Sequence, residues 1–147
     1  VFGYTIFRFF NTYGPLQSPD FVMSRFIVQA LKGEPITIYG DGGQTRTFCY
    51  VEDNINFTTS CLTNDETCNA IINVGSNIPI TIRELAKLVK MLSKSESPVN
   101  YLPTRKKGDM KGRQPCIKKF IRWYPKPLVP LEEGILKTIS YFKDHIT

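Results

Sequence analysis

The sequence has little histidine, no paired-cysteine spacing and no long apolar run, and each shortage removes a class of function. The single histidine, His145, is next to last but one, where it cannot serve a serine or cysteine triad. The four cysteines, Cys49, Cys61, Cys68 and Cys116, show no C-x-x-C spacing, so a zinc site is not expected. Apolar neighbours around Cys49 and Cys61 suit small buried thiols, and a reducing, cytoplasmic setting is the simpler one for them. Apolar stretches are broken within a few residues by Arg, Asn, Lys or Asp, far short of the roughly 20 apolar residues that cross a bilayer, so no membrane span is expected. The opening Val1-Phe2-Gly3-Tyr4-Thr5-Ile6-Phe7-Arg8 has neither an initiator Met nor a charged leader, and is expected to be an internal segment and not a signal peptide. None of the ten glycines falls in G-x-G-x-x-G, so the cradle for a dinucleotide's pyrophosphate is missing. No Tyr is followed four places later by Lys, which removes a tyrosine and lysine pair for proton transfer.

What remains is a chain of 147 residues, 41% hydrophobic, enough for one domain with a packed core. Its net charge of +6 is local: between residues 105 and 126 nine bases (Arg105, Lys106, Lys107, Lys111, Arg113, Lys118, Lys119, Arg122, Lys126) face one acid, Asp109. Such a cluster points to an anionic ligand or partner surface. Strand-like and helix-like segments alternate without repeats, which makes the class α/β. Residues 4–10 form a β-branched and aromatic run apolar on both faces apart from Arg8, expected to be a buried parallel strand. Cut off from its sheet neighbours, that strand would expose apolar surface. Ser18-Pro19-Asp20 offers a helix start, followed by Phe21, Val22, Phe26, Ile27, Ala30 and Leu31 at helical spacing up to Gly33. Residues 35–39 and 47–51 read as strands joined through Gly40-Asp41-Gly42-Gly43, and Glu52-Asp53 as the cap of a helix to about residue 62. Residues 63–69 read as a loop, and 70–74 as an apolar strand. Thr81-Ile82-Arg83-Glu84 has the pattern of a capping box, before a stripe of Ile82, Leu85, Val89 and Leu92. A strand at 99–102, a basic loop at 104–112, a short helix at 117–122, a proline-broken stretch and a helix at 131–143 burying Ile135, Ile139 and Phe142 complete the reading.

Four residues have the chemistry of an anion and nucleotide clamp. Asn11 lies just past a strand, where the carboxyl edge of an α/β sheet meets its ligand. Arg46 follows a glycine turn and Arg113 sits in the basic segment, and a guanidinium fork suits a phosphate better than an ammonium. Tyr39, next to Gly40, can lay its ring on a base. Taken singly, each has a plainer reading: Asn11 satisfying turn backbone, the arginines as solvated surface, Tyr39 as strand packing.

Taken together, these segments resemble the carboxy-terminal half of the extended short-chain dehydrogenase/reductase family that modifies nucleotide sugars. Arg8-Phe9-Phe10-Asn11-Thr12-Tyr13-Gly14-Pro15 is similar to its R-x-x-N-x-Y-G-P segment. Gly33-Glu34-Pro35-Ile36-Thr37-Ile38-Tyr39-Gly40-Asp41-Gly42-Gly43-Gln44-Thr45-Arg46 is similar to its G-x-P-x-x-x-Y-G-D-G-x-Q-T-R signature. Further matches run through Tyr50-Val51-Glu52-Asp53, Asn73-Val74-Gly75, Thr81-Ile82-Arg83-Glu84-Leu85 and Leu131-Glu132-Glu133-Gly134. The resemblance is to UDP-glucuronate decarboxylases and sugar-nucleotide 4,6-dehydratases, with 4-epimerases next. It implies the substrate-binding part of an NAD-dependent epimerase, dehydratase or decarboxylase, that is, a lyase or isomerase, including a late strand of its Rossmann sheet. Asn11 would hold the diphosphate or sugar, Tyr39 the base, and Arg46 and Arg113 the diphosphate, with Phe9 beside the nicotinamide of NAD. The glycine-rich turn and catalytic Tyr and Lys would belong to an amino-terminal half, and the full-length protein would be a homodimer. This chain departs from the pattern at Leu16, where an Arg often follows Gly-Pro, and after Arg113, where Trp123 arrives about three residues early and shortens the local helix. Two other classes compete: a non-catalytic sugar-nucleotide-binding protein, and a nucleic-acid-binding module built on residues 105–126, which lacks the regular aromatic interleaving of a stacking platform.

Overall fold

A computed structural model describes residues 2–104 and 110–146. The basic residues Arg105, Lys106 and Lys107, with Asp109, therefore lie outside the described residues.

The chain is an α/β fold of short, mostly parallel strands flanked by helices. Strand β1 (Thr5–Phe9) pairs in parallel with β6 (Ala70–Val74), in register from Thr5 opposite Ala70 to Phe9 opposite Val74. Strand β2 (Thr12–Tyr13) runs parallel to β5 (Cys49–Tyr50), and β3 (Ile36–Tyr39) parallel to β8 (Val99–Leu102). Strand β4 (Thr45–Thr47) lies between β7 (Pro79–Thr81), antiparallel to it, and β9 (Gly112–Arg113), parallel to it. The helices are α1 (Val22–Lys32), α2 (Val51–Ser60), α3 (Ile82–Ser93), α4 (Lys118–Trp123) and α5 (Leu131–His145).

Two apolar clusters hold these pieces together. The larger one packs Phe26 and Ile27 of α1 with Ile36 and Ile38 of β3, Leu85 and Val89 of α3, and Ile135 and Ile139 of α5. The stripes expected at helical spacing are the faces that meet here. The smaller cluster joins Phe57 of α2, Ile72 and Val74 of β6, and Phe120 and Tyr124 around α4, with the Phe120 and Tyr124 rings stacked at 5.5 Å. At α3 the capping box forms: the Thr81 hydroxyl oxygen accepts from Glu84 N–H at 3.1 Å, and a Glu84 carboxylate oxygen accepts from Thr81 N–H at 2.9 Å. The Thr81 hydroxyl also donates to that carboxylate at 2.7 Å, and this bond, with the one from the Thr81 N–H, holds the Glu84 carboxyl below its ordinary pKa. Gly33 ends α1 in the left-handed region, at φ 70°.

Several local expectations are corrected. The strand expected at 4–10 forms as β1, Thr5–Phe9, parallel to β6, but it is not buried: Ile6 is 46% and Phe9 49% exposed, because β6 is its sole partner among the described residues. Ser18 does not cap α1. Its hydroxyl accepts from Asp20 N–H at 3.2 Å and closes a local turn, so the helix begins at Val22 after Phe21. The strand expected at 47–51 is divided, with Thr47 ending β4, Cys49 beginning β5 in a different sheet, and Val51 already helical. The glycine turn after β3 accordingly joins two sheets and closes no hairpin. Glu52 and Asp53 sit in the first turn of α2 without capping it. Asp53 is instead buried, and its carboxylate accepts the Val129 N–H at 2.9 Å, tying the proline-rich stretch 125–130 across the helix. The loop at 63–69 contains the end of one 3-10 turn and the whole of another, Asp65–Thr67.

Candidate functional site

The carboxyl end of β1 delivers Phe9 and Asn11 side by side. Asn11 adopts φ 41°, a left-handed conformation that asparagine tolerates better than most residues. Its Nδ2 donates to the Thr47 carbonyl at 2.8 Å, and its own carbonyl accepts from Cys49 N–H at 3.2 Å. Asn11 therefore does satisfy turn backbone, tying β1 to the chain between β4 and β5, while one N–H and Oδ1 of its amide remain. It lines two neighbouring cavities.

One of these, about 410 Å³, is bordered by Phe9, Asn11, Gln17, Phe21, Phe48 and Arg113 among others. The second, about 210 Å³, is bordered by Asn11, Phe21, Arg25, Tyr39, Gln44 and Arg46. Tyr39 and Gln44 then form the wall to a third, about 410 Å³, reaching Gly40, Asp41, Thr104 and Lys111. The three are linked through shared lining residues, and Asn11 stands where the first two meet. All five residues singled out from the sequence border this row.

Arg46 and Arg113 are brought together by sheet pairing: β4 and β9 run parallel, with Arg46 opposite Arg113. Sequence alone separates them by 67 positions, and only the register makes them neighbours. The Arg46 guanidinium is pre-oriented, its Nη1 donating to the carbonyls of Thr45 at 2.8 Å and Met110 at 2.9 Å. Arg113 is exposed and bears on the cavity beside Phe9. Tyr39 carries Arg25 over its ring at 5.6 Å, and its carbonyl accepts from Gln44 Nε2 at 3.2 Å.

Arg25, Phe21 and Gln44 escaped the sequence reading as lining residues. Arg25 stands four places after Phe21, so the two share a side of α1, a spacing available in the sequence but overshadowed by the apolar stripe. Phe21 fits the apolar spacing of that stripe, yet it is 60% exposed at the helix entrance.

The groups just behind the site hold it in place. Cys49 is buried, its thiol donates to Asn54 Oδ1 at 3.2 Å, and burial pushes its pKa up to about 12. Tyr13 is buried with its hydroxyl donating to the Leu131 carbonyl at 3.2 Å, and burial raises its pKa as well. Neither group is ionised near neutral pH, so both are supports. A larger cavity, about 630 Å³, lies on the far side of Phe48, bordered by Asp53, Ile78, Ile117 and Ile121. Size alone would favour it, but it contains none of the clamp residues apart from the shared wall at Phe48.

The profile of the NAD dependent epimerase/dehydratase family matches residues 2–75. UDP-glucuronic acid decarboxylase 1 of Danio rerio is 41% identical over 140 residues, covering 92% of this chain and 32% of that protein. Among solved structures, the UDP-glucose 4-epimerase of Thermotoga maritima, determined with UDP-glucose, superposes with a TM-score of 0.91 at 31% identity, covering 99% of this chain and 47% of that one. The UDP-glucuronic acid 4-epimerase of Bacillus cereus, in complex with UDP-glucuronic acid and NAD, gives 0.87 at 31% identity, with 96% and 45% covered. The chain thus spans between a third and half of the length of the proteins it matches, and its fold is that of the carboxy-terminal part of extended short-chain dehydrogenases.

Proposed function

This chain belongs to the NAD dependent epimerase/dehydratase family, and from that membership we propose that it is the nucleotide-sugar-binding half of an epimerase, dehydratase or decarboxylase, a lyase or isomerase, whose dinucleotide-binding half precedes it. The observation that carries the reading is the row of cavities joined at Asn11, with the two register-paired arginines on either side. The diphosphate lies between Arg46 and Arg113, where two guanidinium groups neutralise it. The base lies against Tyr39, already sandwiched from one side by Arg25. The sugar occupies the cavity beside Phe9, with the Asn11 amide in reach of its hydroxyls.

Phe9, half exposed at the carboxyl end of a parallel strand, fits the place of the nicotinamide, since ligands of open α/β sheets gather at that edge. NAD bound there would supply hydride-transfer chemistry at a sugar carbon, with Phe9 beside its nicotinamide. This chain's own residues bind and orient: the arginines hold the diphosphate, Asn11 positions the sugar, and Phe9 and Phe48 keep water from one face. The amino-terminal half supplies the glycine-rich turn and the proton-transferring Tyr and Lys. An uncovered β1 supports that assignment, because parallel strands are stable when both faces and neighbours are provided. Assembly of the full protein as a homodimer belongs to the same proposal. So does residence in the cytoplasm, supported by four free thiols.

The test is ligand-observed NMR and calorimetry with UDP on this chain. Affinity on the order of millimolar is expected, since half of the site's walls are supplied from elsewhere. Arg46→Ala and Arg113→Ala are each expected to weaken it about tenfold or more, the worth of a charge-assisted hydrogen bond. Binding by the wild type that neither substitution alters would overturn the reading.

A further inference from the structure

From the cavity on the far side of Phe48 we infer that this chain has a second ligand site, separate from the groove, which takes a small organic amine with an apolar body. At about 630 Å³ the cavity has the size of a small-molecule site, and it brings a buried carboxylate up to an apolar wall. The inference stands whether or not a nucleotide sugar binds beside Asn11.

The carboxylate is that of Asp53. The residue is 3% exposed, yet it borders the cavity. From the first turn of α2 its Oδ2 accepts the Val129 N–H at 2.9 Å, the one hydrogen bond the carboxylate makes among the described residues. Oδ1 is left without a donor there and is not sealed off from solvent. A carboxylate so deeply buried is ordinarily paired with a cation or held by several donors, because a single backbone bond does not offset its lost hydration. Its neighbours do not provide that cation. Lys137 acts on it only through its charge, bonded as it is to Glu133 at 3.0 Å and Glu52 at 3.5 Å. Lys126 borders the cavity but is exposed and makes no ion pair with Asp53, while Glu132 adds an exposed acid to the same border.

The wall supplies the other half of the argument. Ile80, Leu88, Ile117 and Leu128 line the cavity, and Ile78 and Ile121 border it while 75% and 50% exposed, so large aliphatic side chains stand in water around its mouth. The neutral polar groups there are engaged with their own neighbours. The Cys49 thiol donates to Asn54 Oδ1, Ser76 Oγ accepts from Ile78 N–H at 3.1 Å, and the Asn77 carbonyl accepts from Gln114 Nε2 at 2.7 Å. A ligand is thus oriented by one charge-assisted bond, from its ammonium to Asp53, and held by apolar contact. A lysine side chain offered by a partner carries the ammonium, but its thin stem leaves Ile78 and Ile121 wet, so a free amine with an apolar body fits better.

The experiment titrates the 15N-labelled chain with phenethylamine, with the neutral phenethyl alcohol and with alpha-N-acetyl-lysine amide, at matched pH and ionic strength, following the Val129 and Ile121 amide signals. Phenethylamine is expected to shift both along one saturable curve with an affinity on the order of millimolar, as for a fragment-sized ligand. The alcohol and the lysine derivative are each expected to bind roughly threefold or more weakly, the former for want of charge and the latter of apolar bulk. Asp53→Asn keeps an acceptor for the Val129 N–H and removes the charge, and is expected to bring phenethylamine down to the affinity of the alcohol. Equal binding of amine and alcohol by the wild type, no shift at either amide, or an amine affinity that Asp53→Asn leaves unchanged would overturn the site. Tighter binding of the lysine derivative would overturn the small-molecule occupant. The wild-type comparison decides even where the variant fails to fold.

Discussion

Gly134 illustrates how closely the residues behind the groove are fitted. A methyl group there would fall on the buried Tyr13 hydroxyl and come within 2.8 Å of Tyr13 Cζ and 3.0 Å of Tyr50 Cδ2. Because the Tyr13 ring is enclosed and bonded to the Leu131 carbonyl, it has nowhere to retreat. Gly134→Ala is therefore expected to lower stability by about 1–3 kcal/mol, an overpacking cost, read as a fall in the chemical denaturation midpoint. Cys49 offers an independent measure of enclosure. With its thiol pKa near 12 and its side chain buried, it is expected to resist iodoacetamide at pH 8 while the exposed Cys68 and Cys116 react, as peptide mass mapping will read. Of the candidate site residues, Asn11 stood out in the sequence by its place after an apolar strand, Tyr39 and Arg46 by the glycine-rich signature that holds them, and Arg113 by its place in the basic segment. That Asn11 also braces Thr47 through its amide was written in the sequence only as a general preference of asparagine for turns, because the partner lies 36 residues away.

At the scale of elements, periodic segments were the readable ones. Helix α3 has its capping box and stripe where local pattern places them, and α5 buries Ile135, Ile139 and Phe142 as spacing requires. What could not be read was long-range use of local-looking residues. Asp53 resembles a helix cap, yet it is spent on the Val129 N–H far along the chain. The division of residues 47–51 between two sheets is likewise decided by partners, β7 and β9 for one piece and β2 for the other. Asp53 carries a pH signature. Burial raises its pKa, against the lowering by the Val129 bond, with Glu52 and Glu133 adding to the rise and Lys137 opposing it. Between the ordinary carboxyl value and the raised one, the folded state holds a proton that the unfolded state has lost, so stability falls as pH rises through that window. Asp53→Asn is expected to abolish the dependence, so its thermal midpoint relative to wild type should climb from about pH 4 to pH 7. Asp53→Ala, which leaves the Val129 N–H without an acceptor, is expected to cost about 1–3 kcal/mol across that range.

For the whole molecule, the β1 and β6 pair is a two-stranded parallel sheet that leaves apolar side chains exposed. Ile6 and Ile71 are opposite each other in register and both exposed, an apolar patch on a strand pair with an open edge. Ile6→Lys is expected to reduce self-association in light scattering while leaving the unfolding free energy within about 0.5 kcal/mol of wild type, as for an exposed substitution. The same strand carries Phe9 at its carboxyl end and leads to Asn11, so this exposed pair and the head of the groove are continuous. All of the functional argument depends on Asn11, Arg46 and Arg113 meeting a single nucleotide sugar, the arginines at its diphosphate and Asn11 at its sugar. Titrating the 15N-labelled chain with UDP-glucose while following the Asn11 side-chain amide and the Arg46 and Arg113 Nε–H signals tests this directly. One ligand at one site requires the three to shift together along a single binding curve. Shifts confined to Lys118, Lys119 and Arg122, or separate curves for the two arginines, would contradict it.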